Sequence, residues 1–531
     1  MERNSTIGYI LIFFLFLGFW FFNKDTVQQL ESQEQISEVN EDSINLNQSN
    51  VTISSDNDSV HHSDKINEEI ITLKNSVLKI DFTNIGGLPK VVNLLDYKKY
   101  DSTDLLLIDS NQLHFEYSLP LSNGHVLNTS ELEFELTQTT DNAVSYTYSN
   151  DGSEIVQTYT LEPNSYRLDY ALSFIGFDRK ISPNNRFAEL NWKSKIKQLE
   201  KTTKDERPVT SVYYKYASED DIDNLSETSD DDEILTSNVQ WISFKQKFFN
   251  HTLINQSNFK EDGISIETLE PENENDGYVK NLSAKLFVPI ESNDVRESMA
   301  WYFGPNHYPT LKDQNIGLQK IIPLGWGIFG WVNKGLVIPI FNWLDNYFSN
   351  YGLIILLLTL IIKLGLFFPM YKVYKSSAKM RILKPELDEI KERTKGDVQK
   401  AQQEQMKLYK QAGVSPLGGC LPQLIQMPIL FAMFRFFPAS IELRQEKLWW
   451  ADDLSSYDSI FDFPNGFEIP FYGDHVSLFT LMMTCVTILF TYMNSQNSGQ
   501  MVGPMKTVMY VMPIMFLGFF NNYAAALSFY Y

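Results

Sequence analysis

Residues 351–370 run for twenty positions with a single charge, Lys363. A helix of that length rises about 30 Å, the thickness of a bilayer core. A chain carrying such a run is not a uniform soluble globule. Further apolar runs at 417–438, 476–493 and 508–520 read as additional spans, and a last one, 523–531, is nine residues long and too short to cross. Either its apolar helix continues beyond Tyr531 or the last helix only enters the membrane. Near the start, 7–22 is almost purely apolar, follows Arg3 and precedes Asn23-Lys24-Asp25. A signal peptide has a similar core, but no small-x-small cleavage site follows and the run holds no early Cys, so it reads as a retained N-terminal anchor, 1–23.

Charge divides the chain. The net charge is −22, and 24–320 hold 26 basic and 50 acidic residues, whereas 321–531 hold 17 and 15. An acidic outer part is a poor match for nucleic acid, whose phosphates need basic surface. The segment 371–413 has eleven Lys or Arg and six acidic residues, and 439–475 has two basic and eight acidic. By the positive-inside rule the first lies in the cytoplasm and the second outside. Following the spans back puts 24–349 outside and the N-terminus inside. The two cysteines, Cys420 and Cys485, fall in apolar runs, so no disulfide framework or cysteine metal site is expected.

The outer part divides again. Residues 24–67 are rich in Ser, Asn, Gln, Asp and Glu and read as a flexible linker. From 68 to 320 the pattern has period two. Leu78, Ile80 and Phe82 alternate with polar residues, as do Leu132, Phe134 and Leu136, and Leu168, Tyr170, Leu172 and Phe174. Such alternation buries one face of each strand and predicts an antiparallel β-sandwich. The stretch 219–233, nine of fifteen residues acidic, reads as a solvated loop; it lacks the turn glycine and terminal Glu of a calcium loop. No HExxH, GxSxG or GxxxxGK[ST] pattern occurs, so no metal, cofactor or enzymatic site is expected.

The segment 371–413 predicts a helical hairpin. Pro385 suits a first helical turn, Lys395-Gly396-Asp397 breaks the helix near Thr394, and a second helix ends near Gly413. A solvated connector and a docking surface for ribosome, nascent chain or lipid headgroups both fit its charge. Lys363 lies about 10 Å inside the cytoplasmic boundary, where a charge costs roughly 3 kcal/mol. Thr359 precedes it by one turn, and Gln423 and Gln426 lie on the next span. Snorkelling to the headgroups and a water-filled cavity both account for it. No acidic residue lies in a span core, which weakens a proton or cation path. Met505, Met509 and Met512 near Pro504 and Pro513 suit a surface that accepts varied apolar helices.

Several ordered motifs carry a resemblance: Phe303-Gly304-Pro305; Gly352 through Thr359 to Lys363; Ser377-Ala378-Lys379-Met380 with Lys384-Pro385; Pro416-Leu417-Gly418-Gly419-Cys420; Gln426-Met427-Pro428; Glu442-Leu443-Arg444-Gln445; and Met512-Pro513. In them the chain resembles the YidC/Oxa family of membrane protein insertases, in its Gram-negative form. The resemblance implies a five-helix insertase core, 350–531, behind an N-terminal anchor helix. A periplasmic super-sandwich and an amphipathic periplasmic-face helix within 321–349, at 327–347, precede that core. It also implies a groove open to cytoplasm and lipid, lined at Lys363, Thr359, Gln423, Gln426, Tyr530 and Tyr531, with a substrate slide at Met505, Met509 and Met512. The groove cation is usually arginine; Lys363 keeps the charge but loses the guanidinium fork. The function implied is insertion and folding of inner-membrane proteins, alone or beside the Sec translocon, with nascent chains, lipids and ribosomes as partners. The rivals are an ion-coupled transporter with a periplasmic binding domain, and a membrane-anchored carbohydrate-active enzyme.

Overall fold

A computed structural model describes residues 67–531 apart from 111, 184–185, 261–262, 274–275, 395–397, 414–420, 465–466 and 498–503. The anchor at 7–22 and nearly all of the linker, with Cys420, lie outside the described residues. The chain forms two compact units. One comprises 66–363, 426–461 and 522–531; the other includes 364–425 and 462–521.

The first unit is built on antiparallel strands. A nine-stranded sheet runs in the order Asp223–Asn224, Ser211–Tyr216, Val239–Lys245, Phe249–Phe259, Asp294–Pro305, Arg167–Ile175, Ser153–Leu161, Ala143–Asn150, Glu135–Thr139. A six-stranded sheet, centred on Tyr278–Pro289 and Phe187–Lys197, faces it, and a four-stranded sheet spans 70–108. The inward residues are large and aromatic. Trp192 of the six-stranded sheet stacks on Phe244 at 3.8 Å and meets the edge of Trp301 at 5.0 Å, both from the nine-stranded sheet. Tyr159 and Tyr170 stack at 4.8 Å within that sheet. All are buried, and each aromatic pair adds about 0.5–1.5 kcal/mol beyond its buried area. Gly304 is required by packing: a Cβ there would lie 2.8 Å from the Tyr302 ring and 2.9 Å from Tyr166 Cβ.

Two readings of the strand region need correction. The alternation at 131–136 is not one strand: Thr129–Glu131 is a 3₁₀ turn and the strand begins at Glu135. Phe134 is buried all the same, because Glu133 bridges Ile85 and the Phe134 N–H donates to the Asn84 carbonyl at 2.8 Å. The acidic stretch 219–233 is only partly solvated. It carries two short strands, Asp223–Asn224 and the start of Asp231–Leu235. Glu227 accepts from buried Lys245 at 3.0 Å and from the Tyr213 hydroxyl at 2.6 Å, and its carbonyl accepts from Lys280 at 3.0 Å. Lys245, buried inside the sandwich, needs this acid, since an unpaired buried ammonium is costly.

After the sandwich, Gly327–Val332 leads through a π-helical turn, Asn333–Val337, into Ile338–Asp345. Val332, Val337, Phe341 and Leu344 are buried while Trp331, Trp343 and Tyr347 are exposed, so the helix is amphipathic with an aromatic outer edge. Asn333 pins it by donating to the carbonyls of Leu324 at 2.7 Å and Ala432 at 2.8 Å.

Among the described residues no helix is both long and apolar enough to cross a membrane. The expected span 351–370 is divided into Tyr351–Gly365 and Phe367–Ile382. Pro369 explains the break: it has no N–H for the Gly365 carbonyl four residues back, and its ring crowds that carbonyl. The remaining expected spans correspond to helices Leu421–Ala439, Leu478–Asn497 and Pro504–Phe520, the first and last with internal prolines, and the chain closes on Ala525–Tyr530.

In the second unit, Lys384–Arg393 and Val398–Ala412 form a helix pair with Pro385 in the first turn, and Arg393 pairs with Glu404 across it. Asn521 ties two helix ends together. It donates to the carbonyls of Tyr472 and His475, both at 2.9 Å, and accepts from the Ser477 N–H at 3.0 Å.

Candidate substrate groove and its outer cap

The Tyr351–Gly365 helix buries Ile354, Ile355, Leu358 and Ile362. The spacing is that of one helix face. The opposite side exposes Leu353, Leu356, Leu360 and Leu364, and Lys363 is exposed beside them. Among the described residues Lys363 has no hydrogen bond or ion pair. Thr359, one turn earlier, is half-buried, and its hydroxyl donates to the Ile355 carbonyl at 2.7 Å. That bond occupies the proton and leaves the hydroxyl oxygen able to accept. An apolar exposed stripe is what a lipid-facing helix shows, and the lone cation on its flank is the feature lipid does not explain.

Gln426 is half-buried on Leu421–Ala439; Gln423 is one turn away on the same helix, with its side chain outside the described residues. Tyr530 is buried, its ring 5.7 Å from Phe437 of that helix, whereas Tyr531 is exposed. Met512 is half-buried on Pro504–Phe520; the side chains of Met505 and Met509, on the same helix, are not described. Cys485 is a free, exposed thiol. No described bond joins Lys363, Gln426 and Tyr531 to one another.

A buried polar network lies in 439–461, a stretch that no apolar run marks. Ile441 enters the sandwich core. Arg444 Nε donates to Glu200 Oε1 at 2.7 Å, with side chains 2% and 7% exposed, and its guanidinium lies 5.2 Å from the Phe249 ring centre. Gln445 donates to the carbonyls of Lys98 at 3.1 Å and Lys99 at 2.8 Å, and His307 lies 3.5 Å from Glu442. Lys201 sits 4.5 Å from the Tyr457 ring. Glu206, fully buried next to this pair, accepts from the Leu199 N–H at 2.9 Å; burial, with Glu200's charge added, pushes its pKa up to about 8. Arg444 sits in Glu442-Leu443-Arg444-Gln445, so the motif was visible, but its partner is 244 positions away and no local pattern names it.

The same segment touches two helices. A Cβ on Gly352 would lie 2.5 Å from Leu448 Cδ1, so glycine lets the Tyr351–Gly365 helix start this close without displacing that leucine. The Ser456 and Leu454 carbonyls accept from the N–H groups of Ala525 at 2.7 Å and Ala526 at 3.1 Å, capping the last helix.

Comparison with known proteins assigns both parts. Residues 70–339 match the YidC periplasmic domain, and 343–531 match the 60Kd inner membrane protein family. Relatives include the membrane protein insertases YidC of Parabacteroides distasonis, 36% identical over all of this chain and 90% of that protein, and of Bacteroides fragilis, 34% identical over all of this chain and 89% of that one. A crystal structure of an active YidC insertase, with its first transmembrane domain resolved, is 18% identical over 88% of this chain and 90% of that one, at a TM-score of 0.33. With one family model matching more than half the chain and relatives aligned over its whole length, the chain belongs to the YidC family of membrane protein insertases.

Proposed function

We propose that this chain inserts and helps fold inner-membrane proteins by offering a wet groove to the hydrophilic end of a substrate and an apolar slide to its transmembrane helix. The full-length kinship with insertases supports this, and the observation that carries it is Lys363, a cation without a described partner on an otherwise apolar exposed stripe. Thr359, Gln423, Gln426, Tyr530 and Tyr531 line the groove in this reading. Met505, Met509 and Met512 form the slide. The helices from Tyr351 onward, with the anchor at 1–23, make up a multi-pass core whose N-terminus and 371–413 hairpin face the cytoplasm, while 24–349 are periplasmic. No covalent chemistry is involved: partitioning of the apolar helix supplies the driving force, and the groove removes part of the cost of desolvating the translocated segment. Newly made membrane proteins are the substrates, with the Sec translocon as an optional partner. The basic hairpin faces ribosomes and headgroups.

Depletion of the protein from its host, followed by protease protection of newly made small membrane proteins, tests this. The expected result is substrates left protease-accessible from the cytoplasm and rescued by re-expression. Unchanged protection with substrate transport lost instead would favour the ion-coupled transporter.

A further inference from the structure

The 439–461 segment meets the sandwich, the start of the Tyr351–Gly365 helix and the last helix, and a single buried ion pair stands at its root. We infer that Arg444 is a positioning residue for insertion: its bond to Glu200 fixes 439–461 on the periplasmic domain, and through that segment sets the place of the Ala525–Tyr530 helix and of Tyr531.

The path is continuous. Glu200 follows the Phe187–Lys197 strand and is held in place by its neighbours: Leu199 donates to Glu206, and Gln198 donates to the Glu200 carbonyl at 2.8 Å. Arg444 bonds Glu200 and reaches the Leu199 carbonyl at 3.5 Å. Two residues on, the Glu446 carbonyl accepts from the Leu454 N–H at 3.0 Å, which closes the segment into a loop. The Leu454 and Ser456 carbonyls then cap the last helix at Ala526 and Ala525. Trp449 of the loop meets Phe529 edge-on at 5.7 Å. The first turn of this helix is held by these caps and by the Trp449–Phe529 contact, and they set where the helix starts. The sandwich is therefore more than a tethered neighbour of the membrane core: it is the template on which one wall of the groove is registered.

This rests on the groove reading for the role of Tyr531. The test uses the full chain in native membranes and a ribosome-arrested single-span membrane protein as substrate. A photoreactive phenylalanine analogue is placed at position 531 in one strain and at 359 in another. In the Arg444→Gln background the 531 crosslink should fall about threefold relative to the 359 crosslink at equal protein level. Glu200→Gln, which leaves Arg444 an acceptor and no unpaired carboxylate, should shift the ratio in the same direction by less. It decides the matter if Arg444→Gln fails to accumulate. A ratio equal to the parent's in the variants that accumulate would overturn the inference. So would a parallel loss at both positions, which is what mere destabilisation gives. No crosslink from either position in the parent would overturn the groove assignment itself and this inference with it.

Discussion

The sandwich and the helices use the same apolar residue types in opposite ways. In the sandwich, Trp192, Trp301 and Tyr170 are turned inward, and the buried Lys245 is paired with Glu227. On the helices, Leu353, Leu356, Leu360, Leu364, Phe490 and Ile514 are turned outward. An exposed apolar surface of this extent is not stable in water; against lipid it is the low-energy face. The difference teaches where function is to be sought. In the water-facing region the informative residue is the buried polar one, such as Glu200 or Glu227. On the helices with exposed apolar faces it is the exposed polar one, Lys363.

The largest effect that separates the two regions is truncation of an aromatic. Trp301→Ala should cost about 3–5 kcal/mol by leaving a cavity among Trp192, Phe115 and Phe303. Leu360→Ala, at a side chain 51% exposed, should cost under about 1 kcal/mol. Proteolysis-monitored thermal melts of the full chain in detergent measure both, and equal losses would break the comparison.

Next in size is the buried lysine. Lys245→Met strands Glu227 beside Tyr213 and should cost about 2–3 kcal/mol, below the range for a fully buried pair because Glu227 keeps some solvent contact. Burial raises the Glu227 pKa, but the Lys245 charge and the Tyr213 and Lys245 hydrogen bonds outweigh it and hold the carboxyl below its ordinary value. A depressed folded value means the stabilisation is present above the unfolded value of about 4.3 and is lost as pH falls through the folded one. Wild type should therefore lose stability on acidification below about pH 4, and Lys245→Met should lose less over the same interval.

A pH effect of opposite sign belongs to Glu206. Its folded pKa, about 8, lies above the unfolded value. Between roughly pH 4.3 and that value the folded state holds the extra proton, so stability declines as pH rises. Glu206→Gln should flatten that decline while keeping the bond from the Leu199 N–H. Melts at pH 5 and pH 8 check it; an unchanged slope would place the proton elsewhere.

Much of this was legible in local pattern. Leu78, Ile80 and Phe82 are fully buried on one face, as alternation requires, and Leu168, Tyr170, Leu172 and Phe174 repeat it. Pattern failed where geometry overrides it: at 131–136, where a turn interrupts the alternation, and at Gly365, where Pro369 breaks an apolar run that reads as one helix. The Glu200–Arg444 pair was illegible for a different reason. Arg444 stands in the 442–445 motif, but no local pattern marks Glu200, and only the tertiary fold brings them within 2.7 Å. Lys363 stood out as a candidate because a charge in an apolar run has no local explanation, and Gln423 and Gln426 as polar residues on the next span, whereas nothing in composition marks Tyr531 without the family.

The central claim is that the exposed charge among the apolar helix faces acts on substrates, as the buried ones in the sandwich act on structure. The direct measurement is insertion in a depletion strain complemented with Lys363 variants, using matched substrates whose translocated segments are acidic or neutral. Lys363→Arg should insert both, and Lys363→Ala should lose insertion several-fold for the acidic substrate and much less for the neutral one, with a charge contribution of the order of 1 kcal/mol. Equal insertion of both substrates by Lys363→Ala, at parental protein level, would contradict the account and leave Lys363 as a side chain that merely snorkels to the headgroups.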